Sequence, residues 1–125
     1  MARKPQHASD AELAILKLLW ETESLTARGI REELYPGGTP SDHGTVQKLL
    51  QRLEKKGLVS RDRRSFAHVF RAKISRGGLA GRQLEAMADK LTDGSMVPFI
   101  MHAVESKKLT PEEREEIRQL LDGHK

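Results

Sequence analysis

The feature that most constrains this chain is a change of hydrophobic period at Gly57. Before it, from about Ser41 or Asp42 to Lys56, the residues Val46, Leu49, Leu50 and Leu53 recur at the spacing of one helical face. After it, Val59, Arg61 and Arg63 alternate with Ser60 and Asp62, and Phe66, His68 and Phe70 alternate with Ala67, Val69 and Arg71. That is the period of a β-strand. Gly57 is the glycine expected at the helix C-terminus, and Arg63-Arg64-Ser65 the expected tip of a hairpin. A helix followed at once by a short hairpin with arginines at its tip predicts the winged helix-turn-helix arrangement.

The front of this helix carries the chemistry. Opposite the aliphatic back, Gly44, Lys48, Gln51, Arg52 and Lys55 fall within an arc of about 100°, with Glu54 off on the flank. Ordinary surface helices interleave acids with bases; this front has no acid. A basic, amide-bearing face suits a groove of double-stranded DNA. Gln47, Lys48, Gln51 and Arg52 are the candidates for base edges, because Lys and Arg donate to guanine acceptors and Gln can pair with adenine. Arg28, His43, Gly44, Thr45, Lys55, Arg61, Arg63, Arg64, Ser65 and His68 are candidates for the sugar-phosphate backbone, whose contacts set position and affinity.

Upstream, Ser9-Asp10-Ala11-Glu12 reads as a capping box. It opens a helix with Leu13, Ile15, Leu16, Leu19 and Trp20 on its apolar side, ending near Glu21. Glu23-Ser24-Leu25 is a connector or a two-residue strand. Thr26 caps a second helix, with Leu25 and Ile30 as a hydrophobic staple, and Tyr35-Pro36-Gly37-Gly38 stops it. The expected fold is therefore mainly α with a small β-hairpin: a winged helix-turn-helix over residues 1–75, then a three-helix arm over residues 76–125.

The arm has an apolar seam at Ala80, Leu84, Met87, Ala88 and Leu91, a break at Asp93-Gly94-Ser95, and an almost wholly apolar stretch from Met96 to Val104. Thr110-Pro111-Glu112-Glu113 then opens a helix with Ile117, Leu120 and Leu121 apolar. A helix apolar all round must be buried all round, and these short helices have no core of their own. A homodimer is expected, joined through Leu84, Met87, Leu91, Met96, Val97, Phe99, Ile100, Val104, Ile117, Leu120 and Leu121; the alternative is a monomer in which these helices fold back on the winged helix.

Charge follows the same division. The net charge is +4, but residues 1–75 hold 14 Lys/Arg against 9 Asp/Glu, and residues 76–125 hold 8 against 9. A basic half joined to a near-neutral one is the footprint of a polyanion binder with an appended module.

Other classes fit poorly. With no cysteine, disulfides, thiolate metal sites and cysteine nucleophiles are excluded. The five histidines, His7, His43, His68, His102 and His124, sit on unrelated elements without metal-ligand spacing. Neither an enzyme nor a cofactor is expected. No apolar run approaches the ~20 residues needed to span a bilayer, and Met1–Asp10 lacks the apolar region of a signal peptide. The expectation is a cytoplasmic protein without a membrane partner. A winged helix used for protein interaction, or a regulator with a ligand pocket, is left open by the residues alone.

Two stretches resemble the penicillinase-repressor (BlaI/MecI) family of bacterial winged-helix regulators. One is Asp10-Ala11-Glu12-Leu13 through Leu18-Leu19-Trp20, with Leu25-Thr26-Ala27-Arg28. The more specific one is Thr45-Val46, then Leu49-Leu50-Gln51-Arg52-Leu53-Glu54-Lys55-Lys56-Gly57-Leu58-Val59, continuing into His68-Val69-Phe70-Arg71 and Ser75-Arg76. Ala103-Val104-Glu105 and Lys108-Leu109-Thr110-Pro111-Glu112-Glu113 resemble the family's last helix. The resemblance implies a homodimeric transcriptional repressor on a palindromic operator, an inverted repeat in double-stranded DNA. Three departures limit what carries over. His43 and Lys48 stand where the family commonly has an aromatic residue and a threonine, so the family's operator sequence is not implied. His102-Ala103 stands where cleavable members carry Asn-Phe, so control by a sensor protease is not implied either. The C-terminal cysteines of the copper-responsive branch are missing. The inducing signal, an unknown inducer or a sensor protease, is not readable from the chain.

Overall fold

The computed structural model describes residues 7–123. Residues 1–6, within the stretch tested above for a signal peptide, and His124 lie outside the described residues. The elements are α1 (Asp10–Thr22), β1 (Leu25–Thr26), α2 (Ala27–Leu34), α3 (Pro40–Lys55), β2 (Val59–Asp62), β3 (Val69–Ala72), α4 (Arg76–Leu91), α5 (Val97–Glu105) and α6 (Pro111–Gly123). The fold is mainly helical with a small antiparallel sheet, a winged helix followed by three further helices.

Each helix of the winged part starts at a side-chain cap. Ser9 and Glu12 form the expected box: the Glu12 backbone N–H donates to Ser9 Oγ at 3.2 Å, and the Ser9 N–H donates to Glu12 Oε1 at 2.9 Å. Thr26 accepts from the Gly29 N–H at 3.0 Å. The third helix begins earlier than the sequence reading places it. Its N-cap is Thr39, boxed with Asp42, and Pro40 occupies the first turn. Proline is tolerated there because its missing N–H has no intrahelical partner to lose. At the other end, Gly57 takes φ 76°. Its N–H bonds to Glu54 O at 3.0 Å and the Leu58 N–H bonds to Leu53 O at 2.9 Å. This pair of bonds turns the chain sharply into β2 and needs a residue at ease with positive φ.

The sheet has the order β1-β3-β2, antiparallel throughout. Leu25 pairs with Phe70, and Val59 pairs with Ala72. The hairpin strands are shorter than the alternation predicts. β3 begins at Val69, so Phe66 and His68 lie in the connecting loop rather than in a strand, and the tip is wider than Arg63-Arg64-Ser65. The cause is Asp62, which accepts from the Arg64 N–H at 2.9 Å and from its guanidinium at 2.7 Å. That local turn ends the ladder at the Asp62–Val69 pair.

The core joins Ile15, Leu16 and Leu19 of α1, Ile30 of α2, Val46, Leu49, Leu50 and Leu53 of α3, and Leu58, Val59, Phe70, Ile74 and Leu79. Burying each such side chain contributes about 1.5–3 kcal/mol, so the aliphatic back of α3 anchors it firmly. Trp20 adds a polar tie, donating Nε1–H to Ile74 O at 2.8 Å, with the Arg76 guanidinium over its ring at 4.9 Å.

The structure forms two compact units, one ending at Gln83 and the other beginning at Leu84. In the second, α4 is closed by Thr92, whose hydroxyl donates to Ala88 O at 3.0 Å, and by Gly94, whose N–H reaches the same oxygen at 2.9 Å. α6 opens with the expected Thr110–Glu113 box. Ala88 is buried, but no described residue of α5 or α6 is. Leu84, Met87, Leu91, Val97, Ile100, Met101, Val104, Leu120 and Leu121 are all exposed in the single chain. Met96, Phe99 and Ile117 are half-buried. Among the described residues no helix is long and apolar enough to cross a membrane.

Candidate nucleic-acid interface

With Val46, Leu49, Leu50 and Leu53 turned into the core, helical geometry sends the opposite side of α3 outward. Thr45, Gln47, Lys48, Gln51, Arg52 and Lys55 are all exposed, and His43 and Gly44 are half-buried. Lys48, Arg52 and Lys55 enter no ion pair with the described residues. The two acids of this helix are both occupied elsewhere. Asp42 closes the cap at Thr39, its Oδ2 accepting from the Thr39 N–H at 2.9 Å. Glu54 holds Arg61 Nη2 at 2.6 Å. The exposed front is therefore wholly basic and amide in character.

Beside this front, the start of α2, the face of α3 and the wing loop enclose a cleft of about 430 Å³. Arg28, His43, Gln47, Gln51, Phe66 and His68 are among its lining residues. The structure thus brings the base-edge candidates Gln47 and Gln51 together with the backbone candidates Arg28, His43 and His68. Exposed Arg28 is held by Glu32 one turn on, at 3.3 Å.

The arginines of the hairpin differ in their engagement. Arg63 and Ser65 are exposed, and Arg63 has no ion pair with the described residues. Arg64 forks onto Asp62; its hydrogen bonds hold the Asp62 carboxyl well below the usual carboxylate range. Arg61 is turned inward, bonded to Glu54 with its guanidinium 4.8 Å over the Phe70 ring. Its Nε is buried without a partner. The alternation that proposes Arg61 as a backbone contact cannot reveal this pairing, because Glu54 sits on another element.

Two features of the site were not anticipated from the sequence. Phe66 stands fully exposed at 106 % of its reference area, although the spacing places it in phase with buried Phe70. The second is the support of α3 from below. Lys56, at its C-cap, extends Nζ to Glu12 Oε1 at 2.6 Å and to His7 O at 3.3 Å. Burial alone would raise the Glu12 carboxyl, but Lys56 and the Ser9 donors outweigh it and hold it below its ordinary value. Glu12 Oε2 is buried with no hydrogen-bond partner. Only the Ser9–Glu12 capping pattern was visible in sequence.

Among the described residues, no group of three or more His, Asp or Glu side chains could hold a metal ion.

Comparison with known proteins places the chain in a family. The penicillinase repressor family matches residues 8–123. The penicillinase repressor of Bacillus licheniformis is 28 % identical over 125 residues, covering 100 % of this chain and 96 % of that one. The transcriptional regulator BlaI of Mycobacterium tuberculosis (strain CDC 1551 / Oshkosh) is 33 % identical over 114 residues, covering 90 % of this chain and 80 % of its own. A solution structure of the DNA binding domain of the repressor BlaI aligns with TM-score 0.48 and 29 % identity, over 62 % of this chain and 93 % of that one. Its sequence matched from the α1 cap to the end of α6, this chain belongs to the penicillinase repressor family.

Proposed function

We propose that the protein is a homodimeric transcriptional repressor that reads a palindromic operator with α3 and steadies itself on the flanking backbone with the wing. It works in the cytoplasm and performs no catalysis. One observation carries the reading: the exposed face of α3 is basic from Lys48 to Lys55 while both its acids are tied off in a cap and an ion pair. Family membership supports the sign of regulation.

In this reading residues 1–75 bind DNA and residues 76–125 dimerise. Gln47, Lys48, Gln51 and Arg52 address base edges. Thr45, Lys55, Arg28, Arg63, His43 and His68 address the backbone. Arg61 and Arg64 act largely by holding the wing, through Glu54 and Asp62. The exposed seam of Leu84, Met87, Leu91, Val97, Ile100 and Val104 favours a second copy as the cover for the arm. A twofold then sets the two α3 helices in successive major grooves about 34 Å apart.

The test is fluorescence anisotropy on duplexes that the protein selects from a random pool. If each subunit neutralises four or five phosphates, affinity falls with salt on a log–log slope of about −8. Arg52→Ala loses discrimination between selected and scrambled duplexes more than it loses non-specific binding. Selected sequences without a dyad, or binding indifferent to salt, refute the reading.

A further inference from the structure

Phe66 is the one large apolar side chain of the winged unit that the described residues leave fully exposed. The other large exposed apolar residues all lie in the second unit, from Leu84 onward. A protein-docking surface needs a large contiguous apolar patch, and among the described residues of this unit no second large apolar side chain is exposed beside Phe66. Beside the small or buried apolar residues Ala27, Leu50, Ala67 and Phe70, its surroundings are cationic and polar: Arg63, Ser65 and His68 in the same loop, and Arg28, His43, Gln47 and Gln51 on the helices that line the cleft. The nearest acid in sequence, Asp62, is already clamped by three hydrogen bonds from the Arg64 guanidinium and one from its backbone N–H.

This clamp also fixes how the ring is displayed. By closing the turn at residues 62–64 it ends β2 early and pushes residues 65–68 out of the ladder. A strand continued to Phe66 would have put its ring in phase with Phe70, toward the core. The loop instead presents a lone ring to solvent on the wall of the cleft that α3 shares. A duplex offers such a ring an apolar surface next to a dense negative charge: the deoxyribose edges and floor of the minor groove.

We propose that Phe66 is a DNA-contacting residue, an apolar tip that lies against the deoxyriboses of the minor groove flanking the α3 site. The inference rests on the reading of α3 as the DNA-facing helix, and adds a contact of a different physical kind. Arg63 and the lysines act through charge, so their share of affinity fades with salt. A phenyl ring packed on sugars contributes through desolvation, so its share persists as salt rises. The wing would then hold its place when screening has weakened every ionic contact.

The experiment compares the full-length protein with Phe66→Ala, Phe66→Leu and Arg63→Ala by anisotropy on two selected duplexes. The long duplex carries about 10 bp of flank beyond the α3 site on each side, one helical turn, and the short one ends at the edge of that site. Phe66→Ala is expected to bind the long duplex about tenfold more weakly, with its salt slope unchanged and its thermal midpoint intact. Phe66→Leu keeps most of the affinity, since an aliphatic tip buries comparable area. Arg63→Ala instead reduces the slope by about 1 per subunit. On the short duplex Phe66→Ala and the parent bind alike. Equal affinity of Phe66→Ala and the parent on the long duplex overturns the proposal, as does a loss that persists on the short one. If the parent protein binds neither duplex, the reading of α3 fails first and this contact with it.

Discussion

Replacing Lys56 by methionine tests how α3 is held from within. The ammonium meets Glu12 at 2.6 Å, and the side chains are 17 % and 2 % exposed. With Lys56 gone, the Glu12 carboxylate keeps only the Ser9 donors, and its second oxygen has no partner already. Removing one member of a buried pair costs about 3–5 kcal/mol; the retained Ser9 bonds place this case near the lower end, about 3 kcal/mol. For a domain of this size each kcal/mol moves Tm by about 4–8 °C, so the midpoint falls by roughly 12–24 °C. Urea unfolding followed by the fluorescence of Trp20, the single tryptophan, reads the change directly. The pH dependence adds a sign. In the parent, Glu12 titrates below its ordinary 4.5, so its stabilisation is full above that value and is lost as pH falls through the folded pKa. In Lys56→Met burial is opposed by the Ser9 hydrogen bonds alone, so the carboxyl titrates higher than in the parent, and the variant gains on the parent as pH falls between the two folded pKa values. Glu12→Leu with Lys56→Met recovers most of the loss, since no charge is then buried. A single variant within about 0.5 kcal/mol of the parent, or a gap that widens in acid, refutes the reasoning.

Gly44→Ala should move stability and binding in opposite directions. A Cβ at this position meets nothing in the protein, so the helix gains about 0.5–1 kcal/mol, whereas DNA affinity drops several-fold if the bare surface admits the duplex; a binding constant unchanged beside a raised Tm would rule that out. Thr39→Ala removes the cap that defines the start of α3 and costs about 1 kcal/mol by denaturant unfolding; no loss would mean that Asp42 alone sustains the first turn. If the arm joins two copies as proposed, Ile100→Asp, at a position half exposed in the single chain, converts dimer to monomer in sedimentation equilibrium while the winged unit keeps its Trp20 emission. A dimer that survives this change places the interface elsewhere.

What was legible in the sequence follows the range of each signal. Caps and staples are local, so the starts of α1 and α2 could be read directly from Ser9, Glu12, Thr26 and Ile30. The start of α3 is less legible, because its box closes with Asp42, shorter than the usual glutamate or glutamine. Alternation marked the hairpin but overran its loop, because a period of two cannot register that Asp62 prefers Arg64 to the ladder. The front of α3 was legible because helical phase alone decides which residues face outward once four aliphatics face in. Pairings between elements were not: Lys56 with Glu12, Arg61 with Glu54 and Phe70, and Trp20 with Ile74 each depend on folding distant segments together. Those contacts decide which cations of the basic half are already engaged within the protein.

The strand order has a consequence for the birth of the molecule. The middle strand of the sheet is the last of the three to be synthesised, and it pairs with β1, made long before. Closing that pair spends loop entropy before Phe70 can add its burial to the core. A chain leaving the ribosome amino-terminus first can wind α1, α2 and α3, yet their shared apolar face lacks its lid until Val69 to Ala72 emerge. Until the last wing strand exists, the three helices lack the side chain that closes the core they share.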